Sequence, residues 1–243
     1  MRILDLGDTA FTIEFGDTID PALQAQVAAL DAALAAAQAA GRLPGLIETV
    51  PTFRSLTLIY DPLQTRRATL EPLVRACLDS TAPAPAASGR RWRLPACYGG
   101  AHGPDLAAVA AHAGLTAEAL VDRHTGTEYV VYMLGFLPGF PFMGDVAEAL
   151  RRPRRDEPRV RVPAGSVALA NGLTAIYPWE SPGGWHLIGR CPAPLFDPSR
   201  AAPALLAAGD RVRFTPVDAD TLADLEADLA HGRLDPADWQ VGP

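Results

Sequence analysis

The sequence predicts an α+β protein in two parts, an N-terminal α+β sandwich and a larger C-terminal unit of short β-runs. Three observations carry this. Residues 79–90 read DSTAPAPAASGR, a stretch of Ala, Pro and Ser without a large apolar side chain, which is the composition of a linker. Before it, strand-like and helix-like segments alternate. After Tyr129, apolar runs are punctuated by Gly and Pro at the rhythm of a β-barrel or sandwich. The expected division is a domain at 1–80, a linker at 81–90 and a second domain at 91–243.

In the first part, AFTIEFG (10–16) alternates like a strand, and Ile3–Leu6 offers another. Asp20-Pro21 reads as an N-cap followed by a first-turn proline, and the Ala-rich helix after it runs to Gly41 as its C-cap. LIETV and SLTLIY read as two strands, and a helix is expected near 67–78. The order β-α-β-β-α suits a small sandwich of the ferredoxin-like kind. In the second part RWRLPACY reads as a strand, followed by two short helices at about 104–112 and 116–123. EYVVYML, SVALA, LTAIYP, WHLIGR and DRVRFTP are the barrel or sandwich strands, and a helix from about Asp218 to His231 closes the chain.

Composition narrows the function. The chain has 243 residues, 49% of them hydrophobic, and a formal net charge of −7. Its longest apolar stretch, VVYMLGFLPGFPFMG (130–144), is broken by Gly and Pro well short of the roughly 20 residues that span a bilayer, so no membrane span is expected. The N-terminus alternates and carries acids, unlike a signal peptide, and a cytoplasmic location follows. All 21 basic residues are Arg. Without Lys there is no Walker A loop and no Schiff-base chemistry. Cys77, Cys97 and Cys191 lie far apart, with the spacing of neither a zinc knuckle nor a disulfide framework, and no metal site is expected.

Against the acidic background, six arginines stand between Arg151 and Arg161, followed by the Pro-Ala-Gly-Ser turn of residues 163–166. Two readings stay open, a solvated basic helix or loop, and a segment built to meet an anion. Pro153 and Pro158 stiffen it, and Arg suits bidentate capture of carboxylate or phosphate. A single short patch on an acidic chain argues against nucleic acid. Ser166 is not in a nucleophile elbow, and a backbone amide turn that binds an oxyanion is expected there. Phe136, Phe140, Phe142, Tyr177, Trp179 and Trp185 stand beside turn residues such as Gly183 and Gly184, so large apolar faces sit at loop tips, where they line a pocket or meet a partner. His124, at a predicted helix end, is the histidine best placed for acid–base work if that end faces the pocket, and caps the last carbonyls otherwise.

The succession YMLGFLPGFPFMG, PRRDEPRVRVPAGSVALA, IYPWESPGGWHLIGR, LFDP and GDRVRF resembles the family that contains the B subunit of 5-oxoprolinase (PxpB), the sporulation kinase inhibitor KipI and proteins labelled allophanate hydrolase subunit 1. GDTAFTIEFGD, PGLIETVPTFRSLTLIYDP and PACYGGAHGPDL extend the resemblance over the first half. It implies a ferredoxin-like domain followed by a cyclophilin-like β-barrel. It also implies a KipA/PxpC-type barrel subunit and a LamB/YcsF-type subunit as partners, and ATP-dependent opening of 5-oxoproline to glutamate as the reaction. Binding of a histidine kinase, or carboxyl transfer of the urea carboxylase type, are the alternatives. On this reading His124, Arg154, Arg159, Ser166 and Arg190 are the catalytic candidates, and Phe140, Phe142, Thr174, Tyr177, Gly183, Gly184 and Trp185 bind substrate or partner. Leu173 and Ala175 stand where relatives commonly have Gln and Gly, and Cys191 where Thr is usual.

Overall fold

A computed structural model describes residues 1–80 and 89–242. The chain divides into two compact units, Met1–Ala87 and Ser88–Pro243. Residues 81–88 of the expected linker lie outside the described residues. Its last residue, Arg90, is anchored by the Asp210 carboxylate at 2.7 Å.

The first unit runs β1 (Arg2–Leu6), β2 (Ala10–Glu14), α1 (Pro21–Ala39), β3 (Leu46–Pro51), β4 (Ser55–Tyr60) and α2 (Arg67–Ser80). Its strands form an antiparallel sheet in the order β1-β2-β4-β3. The period of two explains its faces. Phe11, Ile13, Leu56 and Leu58 are buried with Leu30 and Leu34 of α1, while Thr12 and Thr57, on the opposite face, hydrogen-bond to each other at 2.8 Å. Helix α1 starts where expected: the Asp20 side chain accepts from the Ala22 amide and Pro21 occupies the first turn.

The second unit contains β5 (Arg91–Tyr98), α3 (Leu106–His112), α4 (Ala117–Gly126), β6 (Tyr129–Leu134), β7 (Pro141–Gly144), β8 (Arg159–Val162), β9 (Ser166–Ala170), β10 (Leu173–Ile176), β11 (Ser181–Gly183), β12 (His186–Arg190), β13 (Arg211–Val217), α5 (Ala219–Ala230) and β14 (Gln240–Val241). Seven strands close into a barrel in the order β12-β9-β10-β7-β6-β13-β5, with β5 pairing back onto β12. Closure settles the choice between barrel and sandwich. All neighbours are antiparallel except β13 and β5, which pair in parallel over seven residues. Inward positions such as Leu94, Val131, Met143, Val167, Leu169, Ile176, Ile188, Val212 and Phe214 fill the interior. Burying each such side chain contributes about 1.5–3 kcal/mol.

Strands β8 and β11 stand apart from the barrel as a two-stranded antiparallel ribbon. The arginine segment is therefore neither one helix nor one loop. Residues 151–158 have no regular structure, and the chain becomes a strand at Arg159.

Candidate functional site

Five of the six aromatic residues beside the turns converge on one cavity of about 350 Å³, lined by Phe136, Phe140, Phe142, Tyr177, Trp185, Arg154, Arg155, Pro158, Pro182, Gly183 and Gly184, while Trp179 stands apart against Phe196 with its ring centroid 6.4 Å away. Phe140 is the hub. Its ring centroid lies 4.8 Å from Phe142, 5.0 Å from Tyr177, 5.7 Å from Phe136 and 6.3 Å from Trp185. The Tyr177 and Trp185 contacts are edge-on, the favourable arrangement for aromatic quadrupoles. Phe136 keeps 68% of its surface exposed and holds a φ of 66°, a left-handed conformation rare for a bulky residue. Gly183 is required by close approach, because a Cβ there would lie 2.3 Å from the Tyr177 hydroxyl. Burial pushes that hydroxyl up from its ordinary pKa, opposed by the positive charges of Arg154 and Arg159 and by a backbone hydrogen bond at Trp185.

The arginine segment is tied to the barrel. The Arg155 amide donates to Gly184 O at 2.7 Å, the Asn171 amide to Arg152 O at 2.5 Å, and His186 Nε2 lies 3.0 Å from Pro153 O. Pro153 O can only accept, so the ring nitrogen donates to it, and burial holds the His186 imidazole below its ordinary pKa. Two arginines then share one carboxylate. Asp105 Oδ1 accepts from Arg159 Nη2 at 2.8 Å and from Arg155 Nη1 at 3.3 Å, and Oδ2 accepts the Leu187 amide at 2.7 Å. Burial would raise the Asp105 carboxyl, but the hydrogen bonds from Arg159 and Leu187 and the two guanidinium charges outweigh it and hold it below the usual range. Arg154 has no acidic partner among the described residues and faces the cavity.

A smaller cleft of about 180 Å³ is lined by Ala101, His102, Pro104, Arg159, Arg161, Pro163, Ser166, Leu187 and Arg190. The expected catalytic residues thus divide: Arg154 belongs to the aromatic cavity, Arg159 and Ser166 to the second cleft, and Arg190 both to that cleft and to a further cavity of about 450 Å³ that Glu226 also lines. Arg190 Nε donates to Glu226 at 2.7 Å. The expected oxyanion turn is corrected, because the Gly165 amide donates to Tyr177 O and the Ser166 amide to Pro163 O.

His124 and Thr174 are brought together, but inside the barrel. His124 is fully buried, with Nδ1 2.8 Å from the Tyr98 hydroxyl and Nε2 3.0 Å from Thr174 Oγ1. Its ring stacks on Phe214 at 4.8 Å. Burial depresses its pKa to about 3, so the imidazole is neutral at physiological pH. It lines neither cavity, and neither does Thr174. The acid–base role expected of His124, like the binding role of Thr174, gives way to a structural one: α4 plugs the barrel with a ring whose two nitrogens are both partnered. Cys191 is likewise inert, its buried thiol pushed up to about 12.

A family model for the carboxyltransferase domain, subdomains C and D, matches residues 1–206. The chain belongs to this family. The carboxyltransferase C and D match takes in both units as far as Leu206, just short of β13. The chain is 42% identical over 212 residues to the B subunit of 5-oxoprolinase from Escherichia coli O157:H7, covering 87% of this chain and 94% of that protein. It is 41% identical over 223 residues to the B subunit of 5-oxoprolinase from Bacillus subtilis strain 168, covering 88% and 91%. Among solved structures, TTHA0988 superposes with a TM-score of 0.75 at 40% identity, covering 86% of this chain and only 40% of that longer one. The urea amidolyase of Kluyveromyces lactis superposes at 0.77 with 18% identity, over 96% of this chain and 16% of that one, a likeness of fold alone.

Within this carboxyltransferase-type barrel, sequence reasoning missed Asp105. It precedes a helix, which reads as a cap, yet its side chain makes no cap hydrogen bond. Among the described residues no group of His, Cys, Asp and Glu is placed to hold a metal ion, and no helix is long and apolar enough to cross a membrane.

Proposed function

We propose that the chain is the PxpB-type component of a cytoplasmic, ATP-dependent complex that opens 5-oxoproline to L-glutamate, acting with a KipA/PxpC-type barrel subunit and a LamB/YcsF-type subunit. We read its first unit as a ferredoxin-like domain with an edge strand moved to the front, and its second as a cyclophilin-like barrel, with the boundary in the 81–90 stretch. The observation that carries the functional reading is the aromatic cavity with Arg154 at its wall, in a chain about two-fifths identical to the B subunits of two 5-oxoprolinases.

The chemistry fits the lining. 5-Oxoproline is a small flat lactam bearing one carboxylate. Its ring packs against Phe140, Phe142, Tyr177 and Trp185, and its carboxylate is met by the Arg154 guanidinium. ATP supplies the phosphoryl group that activates the lactam oxygen, and water then opens the C–N bond to give glutamate, ADP and phosphate. The chain's contribution is to bind and orient the ring, to place Arg154 and Arg155 near developing negative charge, and to exclude water from one side. Phe136 leaves the mouth exposed, and the partner subunit completes the site. The isolated chain is accordingly inactive.

Co-expression with the partner subunits, followed by an assay for ATP-dependent glutamate formation from 5-oxoproline, tests this. An assembled complex that makes no glutamate sinks the reading. ADP release driven by 5-oxoproline in the pure chain overturns the claim of inactivity.

A further inference from the structure

We propose that the smaller cleft between β8, β9 and β12 is a separate binding site for a phosphoryl group, distinct from the aromatic cavity. Three arginines reach it from two strands. The period of two along β8 places Arg159 and Arg161 on one face, and Arg190 lies on β12 directly across from Ser166 of β9 in the strand register. All four residues line the cleft, and no acid does.

Each arginine has an acidic partner that lies outside the lining: Asp105 for Arg159, Glu180 for Arg161 at 2.9 Å, and Glu226 for Arg190. Those pairs leave donors over. Arg159 Nη1 is buried without a hydrogen-bond partner. Arg190 uses only Nε, so its two terminal nitrogens make no hydrogen bond among the described residues. Asp105 is also shared with Arg155, which leaves one uncompensated positive charge in that trio. An oxyanion in the cleft is met by the free terminal nitrogens of Arg190 and by the excess positive charge of the trio.

The shape selects the class of anion. A planar carboxylate is fully met by one bidentate arginine, as Glu180 is by Arg161. Three arginines and a serine bordering one space suit the several oxygens of a tetrahedral anion, although Arg190 is shared with a neighbouring cavity that Glu226 also lines. The lining has no aromatic ring apart from the His102 imidazole, and the cleft has about half the volume of the aromatic cavity, so it takes the phosphoryl group and not a nucleobase. The group has two sources, free inorganic phosphate or the terminal phosphate of a nucleotide.

The test is calorimetric titration of the full chain with inorganic phosphate, and separately with a non-hydrolysable ATP analogue, at low ionic strength. Saturable binding is expected, weakened about ten-fold by Arg190→Ala and by Arg161→Ala. Glu226→Gln, which frees Arg190, is expected to tighten it. Arg161 is 75% exposed, so its replacement does not endanger folding. Displacement of phosphate by the analogue assigns the site to a nucleotide, and binding of phosphate alone assigns it to the free anion. Absence of saturable binding by both ligands, or unchanged affinity in both arginine variants, overturns the proposal. Arg154→Ala, in the other cavity, is expected to leave phosphate affinity within about two-fold. Failure of glutamate formation with phosphate binding intact therefore counts against the functional reading and not against this site.

Discussion

Arg159 donates to Asp105 across 2.8 Å, and through that carboxylate it is coupled to Arg155, which lines the other cavity. One carboxylate oxygen therefore ties together two cations that line different cavities. The pair is partly solvated, with 23% of the Arg159 and 10% of the Asp105 side chain exposed. Asp105→Asn is expected to cost about 2 kcal/mol, less than the 3–5 typical of fully buried pairs, because water screens the arginines left behind. The Asp105 pKa is lower in the folded protein, so its stabilising effect is present above the ordinary carboxylate range and is lost as pH falls through the folded value. Urea denaturation at pH 7 and below pH 4 checks both points: the Asn variant should be weaker at neutrality and should lack that acid-side loss.

His124 gives a second pH signature of the same sign at higher pH. Its folded pKa of about 3 lies below the ordinary 6.5, so the unfolded chain binds a proton that the folded chain refuses. Stability should fall by roughly 1.4 kcal/mol per pH unit as pH drops below about 6.5. His124→Gln should flatten this slope while lowering stability at pH 7. In NMR spectra the His124 ring signals should not titrate between pH 5 and 8, and a midpoint near 6.5 would refute the buried neutral ring.

Adjacent glycines make a paired test of the cavity. Gly183→Ala drives a methyl to within 2.3 Å of the Tyr177 hydroxyl, whereas Gly184→Ala meets nothing closer than 3.7 Å, at Pro158 Cγ. The first should cost about 1–3 kcal/mol, as overpacking does, and should change Trp185 fluorescence. The second should be close to neutral in thermal unfolding.

Arg154→Ala should leave assembly of the complex intact and raise the KM for 5-oxoproline about ten-fold, the value of one charge-assisted hydrogen bond. Arg159→Ala should preserve assembly while lowering turnover. Loss of folding in the Arg159 variant, seen by circular dichroism, would assign that arginine a structural role alone.

Much of this was legible along the chain. The Asp20-Pro21 start of α1, the alternation in β2 and β4, and the apolar runs of β9, β10 and β12 depend on local periodicity and capping, which operate within a few residues. Clustering of aromatic residues at turns pointed to the cavity because exposed rings need a reason. What periodicity could not reach was the pairing of distant residues. Closure of β5 onto β12 turns barrel-or-sandwich into a barrel, and that hydrogen-bonding joins positions some ninety apart. The same closure draws His124 into the interior, where desolvation removes it from acid–base chemistry. It also sets Asp105 against Arg155 and Arg159, about fifty residues away, and so divides one run of arginines between two cavities. Local sequence determined which elements form and which residue types carry charge. Only the tertiary structure decided which charges meet, because burial and electrostatic coupling belong to contacts that the chain order does not contain.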